Sequence, residues 1–153
     1  MSDWSGGMRR CATAWLLATF VLAPLALEAQ QQQPRGTNQV ELQQNYPNPF
    51  NPATTIPFRL SADLWANGQR PIVSLKIYNV LAQQVAVPSL QQSGQTLDNV
   101  QLDCVNPNSG FCDFSAYWDG FYQNSTRSAA SGVYVYQLVV NGQRSSRRMI
   151  VMK

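Results

Sequence analysis

Asp113 and Asp119 are two carboxylates close enough in sequence to suggest a hydrolytic pair or part of a calcium site. Ser131-Gly132 offers a hydroxyl that a neighbouring base could turn into a nucleophile. Neither reading finds its partners. The sequence contains no histidine, which removes the commonest general base and the commonest metal ligand together. Calcium needs several convergent oxygens, and isolated acids beside glycine are more often turn formers. The expectation is no catalytic residue, no metal, no cofactor and no small-molecule substrate: the chain reads as not an enzyme. Asn124-Ser125-Thr126 fits a glycosylation acceptor, a pattern common by chance that implies a eukaryotic secretory route.

The cysteines depend on where the chain goes. Met8-Arg9-Arg10 is a positive start, residues 11–27 are an apolar run broken by Pro24, and Leu27-Glu28-Ala29 places a small residue before a cut. This is the build of an export signal over residues 1–29, cleaved between Ala29 and Gln30. A membrane anchor is the other reading, but the run is at the short limit for a spanning helix. Met8 could be the true start. Cleavage removes Cys11 and leaves Cys104 and Cys112, an even pair in an oxidising compartment, for which a disulfide within one loop is the expected state. Two unpaired thiols are the alternative. A metal site would need more ligands than the pair supplies.

The elements that would carry these residues are short. At 153 residues the chain supports one modest core. Hydrophobic residues make up 44% and charged residues only 12%, about half the usual share, which favours strands and turns over surface helices. The net charge of +3 is scattered, with no basic stripe, so no nucleic-acid partner is expected.

Residues 30–39 (QQQQPRGTNQ) read as a polar flexible linker. The prolines of Gln44-Asn45-Tyr46-Pro47-Asn48-Pro49-Phe50-Asn51-Pro52 exclude a helix and make a stiff lead-in, with Tyr46 and Phe50 as aromatic plugs. Period-two alternation follows. Ile56, Phe58 and Leu60 form one strand, which Pro57 marks as an edge. Val73, Leu75 and Ile77 form a cleaner inner strand, with a turn at residues 79–82 and a short return at 85–87. Residues 97–102 are a weak candidate. Residues 114–118 are a better one, closed by Asp119-Gly120. Residues 132–140 (GVYVYQLVV) are the strongest, followed by the hairpin signal Asn141-Gly142 and a return over 145–152. About seven short strands without a periodic helix predict an all-β fold, an antiparallel immunoglobulin-like β-sandwich. Trp118, Tyr134 and Tyr136 belong to its core.

The lead-in, extended through Ala53-Thr54-Thr55-Ile56, resembles the opening motif of the type A C-terminal sorting domain of the type IX secretion system. Leu75-Lys76-Ile77-Tyr78-Asn79-Val80-Leu81, Trp118-Asp119-Gly120 and Ser131-Gly132-Val133-Tyr134-Val135-Tyr136 follow in that family's order. The close, Arg148-Met149-Ile150-Val151-Met152-Lys153, is similar to the family's basic-then-apolar ending. The resemblance covers residues 40–153 and implies an export signal folded in the periplasm. Its implied partners are an outer-membrane translocon and a sortase-like peptidase that can remove the domain and anchor its cargo at the surface. It also implies recognition through the last two strands, residues 133–140 and 145–153. Arg147, Arg148, Met149, Ile150, Val151, Met152 and Lys153 are the candidate recognition residues.

The sequence departs from the family at Ala82, where glycine is usual, so that turn is expected to avoid positive φ. Residues 91–114 are longer than the family's connection. No cargo precedes the domain, so the chain is expected to be a gene fragment, a stub or a small protein that acts at the surface itself. The second function class is therefore a retained structural or adhesive sandwich like the domain of flagellar hook-capping proteins. Arg144, Arg147, Arg148 and Lys153 would guard a terminal edge strand against aggregation in either case. Such an edge also offers unpaired backbone groups to a partner that adds a strand.

Overall fold

The computed structural model describes residues 39–153. The expected export signal, its cut between Ala29 and Gln30, and residues 30–38 of the expected linker lie outside the described residues. Nine strands follow one another: β1 (Val40–Leu42), β2 (Thr54–Ser61), β3 (Ile72–Tyr78), β4 (Gln84–Ala86), β5 (Ser89–Leu90), β6 (Val100–Gln101), β7 (Phe111–Trp118), β8 (Gly132–Val140) and β9 (Gln143–Val151). They pair antiparallel in two sheets. One runs β1-β2-β7-β5 and the other β4-β3-β8-β9, with β6 beside β3. The chain is all-β.

Alternation decides which side chains go inside. Ile56, Phe58 and Leu60 of β2 are buried, as are Val73, Leu75 and Ile77 of β3 and Tyr136, Leu138 and Val140 of β8. Residues from both sheets join one hydrophobic core. Each such side chain contributes about 1.5–3 kcal/mol relative to exposure. Phe58 stacks on Phe114 at 5.3 Å within one sheet, and Trp118 meets Tyr134 of the other sheet edge-on at 5.8 Å. Between β2 and β3 a pair of short 3₁₀ turns spans Ala62–Gly68, started by the Ser61 hydroxyl, which accepts from the Asp63 amide. They carry Trp65, whose indole donates to the Leu102 carbonyl at 2.8 Å.

The hairpin β8–β9 follows its sequence signal. Val140 pairs with Gln143, and Asn141 and Gly142 both take positive φ (48° and 87°), the geometry of a tight twisted turn. Three expectations fail. Pro57 does not mark an edge, because β2 lies between β1 and β7. Its carbonyl accepts from Gln43, and the next pairing on that side joins Thr55 to Tyr46. The proline's missing donor would meet the Gln43 carbonyl, and that carbonyl accepts from the Tyr136 hydroxyl instead, after which the incoming chain bulges before Tyr46. Ala82 does take positive φ, at 58°, held by its amide's bond to the Asn79 carbonyl and by the Asn79 side chain capping the Leu81 and Gln83 amides. Tyr46 is 78% exposed and plugs nothing, whereas Phe50 is buried. The weak strand at 97–102 shrinks to Val100–Gln101.

Candidate functional site

β9 ends its sheet, yet half of its outer edge is already occupied. The residues whose backbone faces away from β8 are the even-numbered ones, because Gln143, opposite Val140 at the tight turn, pairs inward. Along residues 148–152 the lead-in lies against them as a strap. Gln44 donates from its side chain to the Arg148 carbonyl at 3.1 Å. Asn48 Oδ1 accepts from the Ile150 amide at 2.9 Å. Phe50 then donates to the Ile150 carbonyl and accepts from the Met152 amide, each at 3.0 Å, in a short parallel bridge. Prolines at 47, 49 and 52 deny the strap a regular ladder, so side-chain amides do part of the bonding.

The strap is fixed from behind. Asn45 is buried and spends its amide group on the Pro47 carbonyl and the Thr54 hydroxyl, both at 3.0 Å. Its backbone amide donates to the Tyr136 hydroxyl at 3.1 Å, and that hydroxyl donates to the Gln43 carbonyl at 2.7 Å. Burial pushes the Tyr136 phenol above its ordinary value, and burial does the same for Tyr134. Phe50 meets Trp118 edge-on at 5.5 Å, and the Trp118 indole donates to the Phe121 carbonyl. Gly120, at φ 82°, brings its backbone so close to the Pro52 carbonyl that a Cβ would collide with it. Four of the sequence blocks quoted above thus meet at one end of the fold: the lead-in, Trp118-Asp119-Gly120, Tyr134 and Tyr136, and the last strand.

The seven candidate recognition residues divide by environment. Met149 and Val151 are core. Arg147 is exposed and reaches sideways to β1, its Nε donating to the Leu42 carbonyl at 2.6 Å. Arg148 is exposed, as are Ile150 and Met152, which are 42% and 56% accessible. The Lys153 amide donates to the Ser131 hydroxyl, and its ammonium reaches Ser128. The expectation that the terminal edge offers free backbone is corrected over residues 148–152, where the strap fills it.

Cys104 and Cys112 form a disulfide, with Cα atoms 5.7 Å apart. It ties the loop before β7 to that strand. Asp113 pairs with Arg59 at 2.7 Å, and Asp119 accepts from the Phe121 amide at 2.9 Å, which makes it a turn former. Among the described residues no three Asp, Glu or Cys side chains gather as a metal site would require. Sequence reading passed over Gln44, Asn45, Asn48 and Thr54 as working residues. The signal available was an Asn beside each proline in a stretch that cannot form its own ladder.

No family model matches the chain, and no curated protein matches it. Among solved structures, the chain is similar to an alkylpurine DNA glycosylase of Pseudomonas fluorescens bound to DNA containing an abasic site analog. The likeness has 17% identity and a TM-score of 0.46, over 75% of this chain and 31% of the glycosylase chain. It stands against two exclusions made from the sequence, that the chain is not an enzyme and that it has no nucleic-acid partner, and both are withdrawn. At that TM-score the likeness carries no argument towards either activity.

Proposed function

We propose that residues 40–153 form an export-sorting module with an immunoglobulin-like sandwich arrangement, which directs passage across the outer membrane by a type IX secretion system. The observation that supports this reading is the meeting of the opening motif with the last strand. Segments that the sequence keeps far apart join in one strap-and-strand unit, linked by Asn48 to Ile150 and by Phe50 to Met152. That unit holds the side chains of Arg148, Ile150 and Met152 at the surface on rigid backbone. A preorganised surface costs a reader less ordering than a loose tail would.

A reporter fused ahead of residues 40–153 reaches the surface of a host with this secretion system. Replacing Arg148 and Ile150 by serine holds the reporter in the periplasm while the melting temperature stays close to the parent's, since both side chains are exposed. Export of this variant at the parent's level would falsify the reading.

The burial of Met149 and Val151 in the core favours a second reading, in which the folded domain is kept at the surface as a structural or adhesive module. Loss of the C-terminal segment from secreted protein supports the first reading; its retention supports the second.

A further inference from the structure

Beyond the strap, the other half of the β9 edge is open. Arg144 and Ser146 have the same outward parity as Ile150, and among the described residues their backbone groups have no partner. Across from them lies a second open edge. In β1, Gln39 and Gln43 bond to β2, so Val40 and Leu42 turn their backbone outward. Between the two edges runs an open groove of about 610 Å³, bridged where Arg147 reaches the Leu42 carbonyl.

The groove is also charged. The ion pairs among the described residues engage Arg59, Arg70 and Lys76, whereas Arg144 and Arg147 have no carboxylate partner. Glu41 also lines the groove, but its carboxylate is paired with Arg59 at 3.5 Å. A second copy pairing edge to edge would bring arginines against arginines, which repel. An extended strand bearing carboxylates would satisfy the open backbone and the unpaired guanidinium groups together.

We infer that the β1–β9 groove is a docking site for an extended acidic peptide segment, which adds as a strand alongside Arg144 and Ser146 with its carboxylates on Arg144 and Arg147. This goes beyond the export reading and stands on the groove's own geometry, so a reporter that fails to reach the surface leaves it untouched.

The test uses the full chain, with its disulfide intact and nitrogen-15 label, titrated with a seven-residue synthetic peptide alternating glutamate and valine. Controls are the same peptide with glutamine for glutamate, and one with a central proline. The glutamate peptide is expected to shift the amides of Arg144 and Ser146, and to bind about tenfold more tightly than the glutamine form, as two exposed ion pairs allow. The proline peptide should not bind. Arg144→Glu, at an exposed position, should abolish the preference for glutamate without changing the melting temperature. Shifts confined to other residues, equal binding of the glutamate and glutamine peptides, or an unaltered preference in Arg144→Glu would each overturn the inference. So would a concentration-dependent dimer that excludes the peptide, which would assign the groove to a second copy.

Discussion

Asn48 caps the amide of Ile150 from 102 positions away, its Oδ1 lying 2.9 Å from that nitrogen. The bond sits at the surface, on the outer edge of a strand whose other side is fully paired. Its removal should therefore act locally. In Asn48→Ala we expect a loss of about 0.5–1.5 kcal/mol, the net worth of one such bond. Amide exchange read by NMR should accelerate at Ile150 and remain slow at Met149 and Val151, which bond towards β8. Uniform acceleration along β9 would mean that the strap holds the whole sheet edge and not one bond.

Gly120 and Ala82 form a matched pair of backbone tests. Both take positive φ, at 82° and 58°. Gly120→Ala adds a methyl that meets the Pro52 carbonyl, a rigid obstacle, and should cost more than about 3 kcal/mol or abolish folding. Ala82→Gly relieves a left-handed residue in an exposed turn and should stabilise by about 0.5–1 kcal/mol. Thermal melts of the two variants decide the matter; a neutral Gly120→Ala would show that the strap moves freely away from the turn.

Alkaline pH should loosen the strap. Burial raises the Tyr136 phenol above its ordinary value of 10.0, and Tyr134 shifts the same way. A group that holds its proton more firmly in the folded chain stabilises the fold at every pH below its unfolded value. That contribution disappears as pH climbs through the folded value. The melting temperature should hold steady with respect to these groups up to pH of about 10 and fall above it. Tyr136→Phe should flatten part of that alkaline fall. It should also lower stability at neutral pH by about 1–3 kcal/mol, since the Gln43 carbonyl and the Asn45 amide lose a buried partner. An unchanged alkaline limb in this variant would move the titration elsewhere.

The disulfide between Cys104 and Cys112 closes a loop with a sequence separation of 8. Chain entropy assigns such a loop about 2.5 kcal/mol. Paired Cys104→Ser and Cys112→Ala should lower the denaturation midpoint accordingly while leaving the β2–β7 ladder intact. Alkylation of unreduced protein should label neither cysteine; labelling of both would refute the bond.

The strands that could be read in advance are those whose own residues decide them. β8 and β9 followed from GVYVYQLVV and Asn141-Gly142 because alternation and turn chemistry are local. β3 was legible for the same reason. What escaped reading depends on distant partners. β1 is three residues long and exists because β2 is beside it. Pro57 suggested an edge because a proline cannot donate, and nothing local reveals that the Gln43 carbonyl opposite it is served by the distant Tyr136 hydroxyl. Ala82 was read from its own preference, but its turn is set by Asn79, which caps two amides from one side chain. At the candidate site the basic residues of the last strand were visible, whereas their separation into core, seam and surface was not. That separation depends on where the strap lies, and the strap's bonds come from asparagine and glutamine side chains that carry no periodic signal.

The segment holding Asn48 and Phe50 precedes the strand it must cover by 102 positions at the Asn48–Ile150 bond. Until β9 arrives, Phe50 has lost its backbone partners, and the Trp118 face it packs on has yet to be sealed. Contacts of such long range form late, because closing the intervening chain must precede any gain from them. The last bond made is then one that only a chain containing β9 can make. A chain lacking β9 would leave its lead-in without the bonds at residues 148–152 and the Phe50–Trp118 contact unsealed. The strap works as a latch that closes only once β9 is in place.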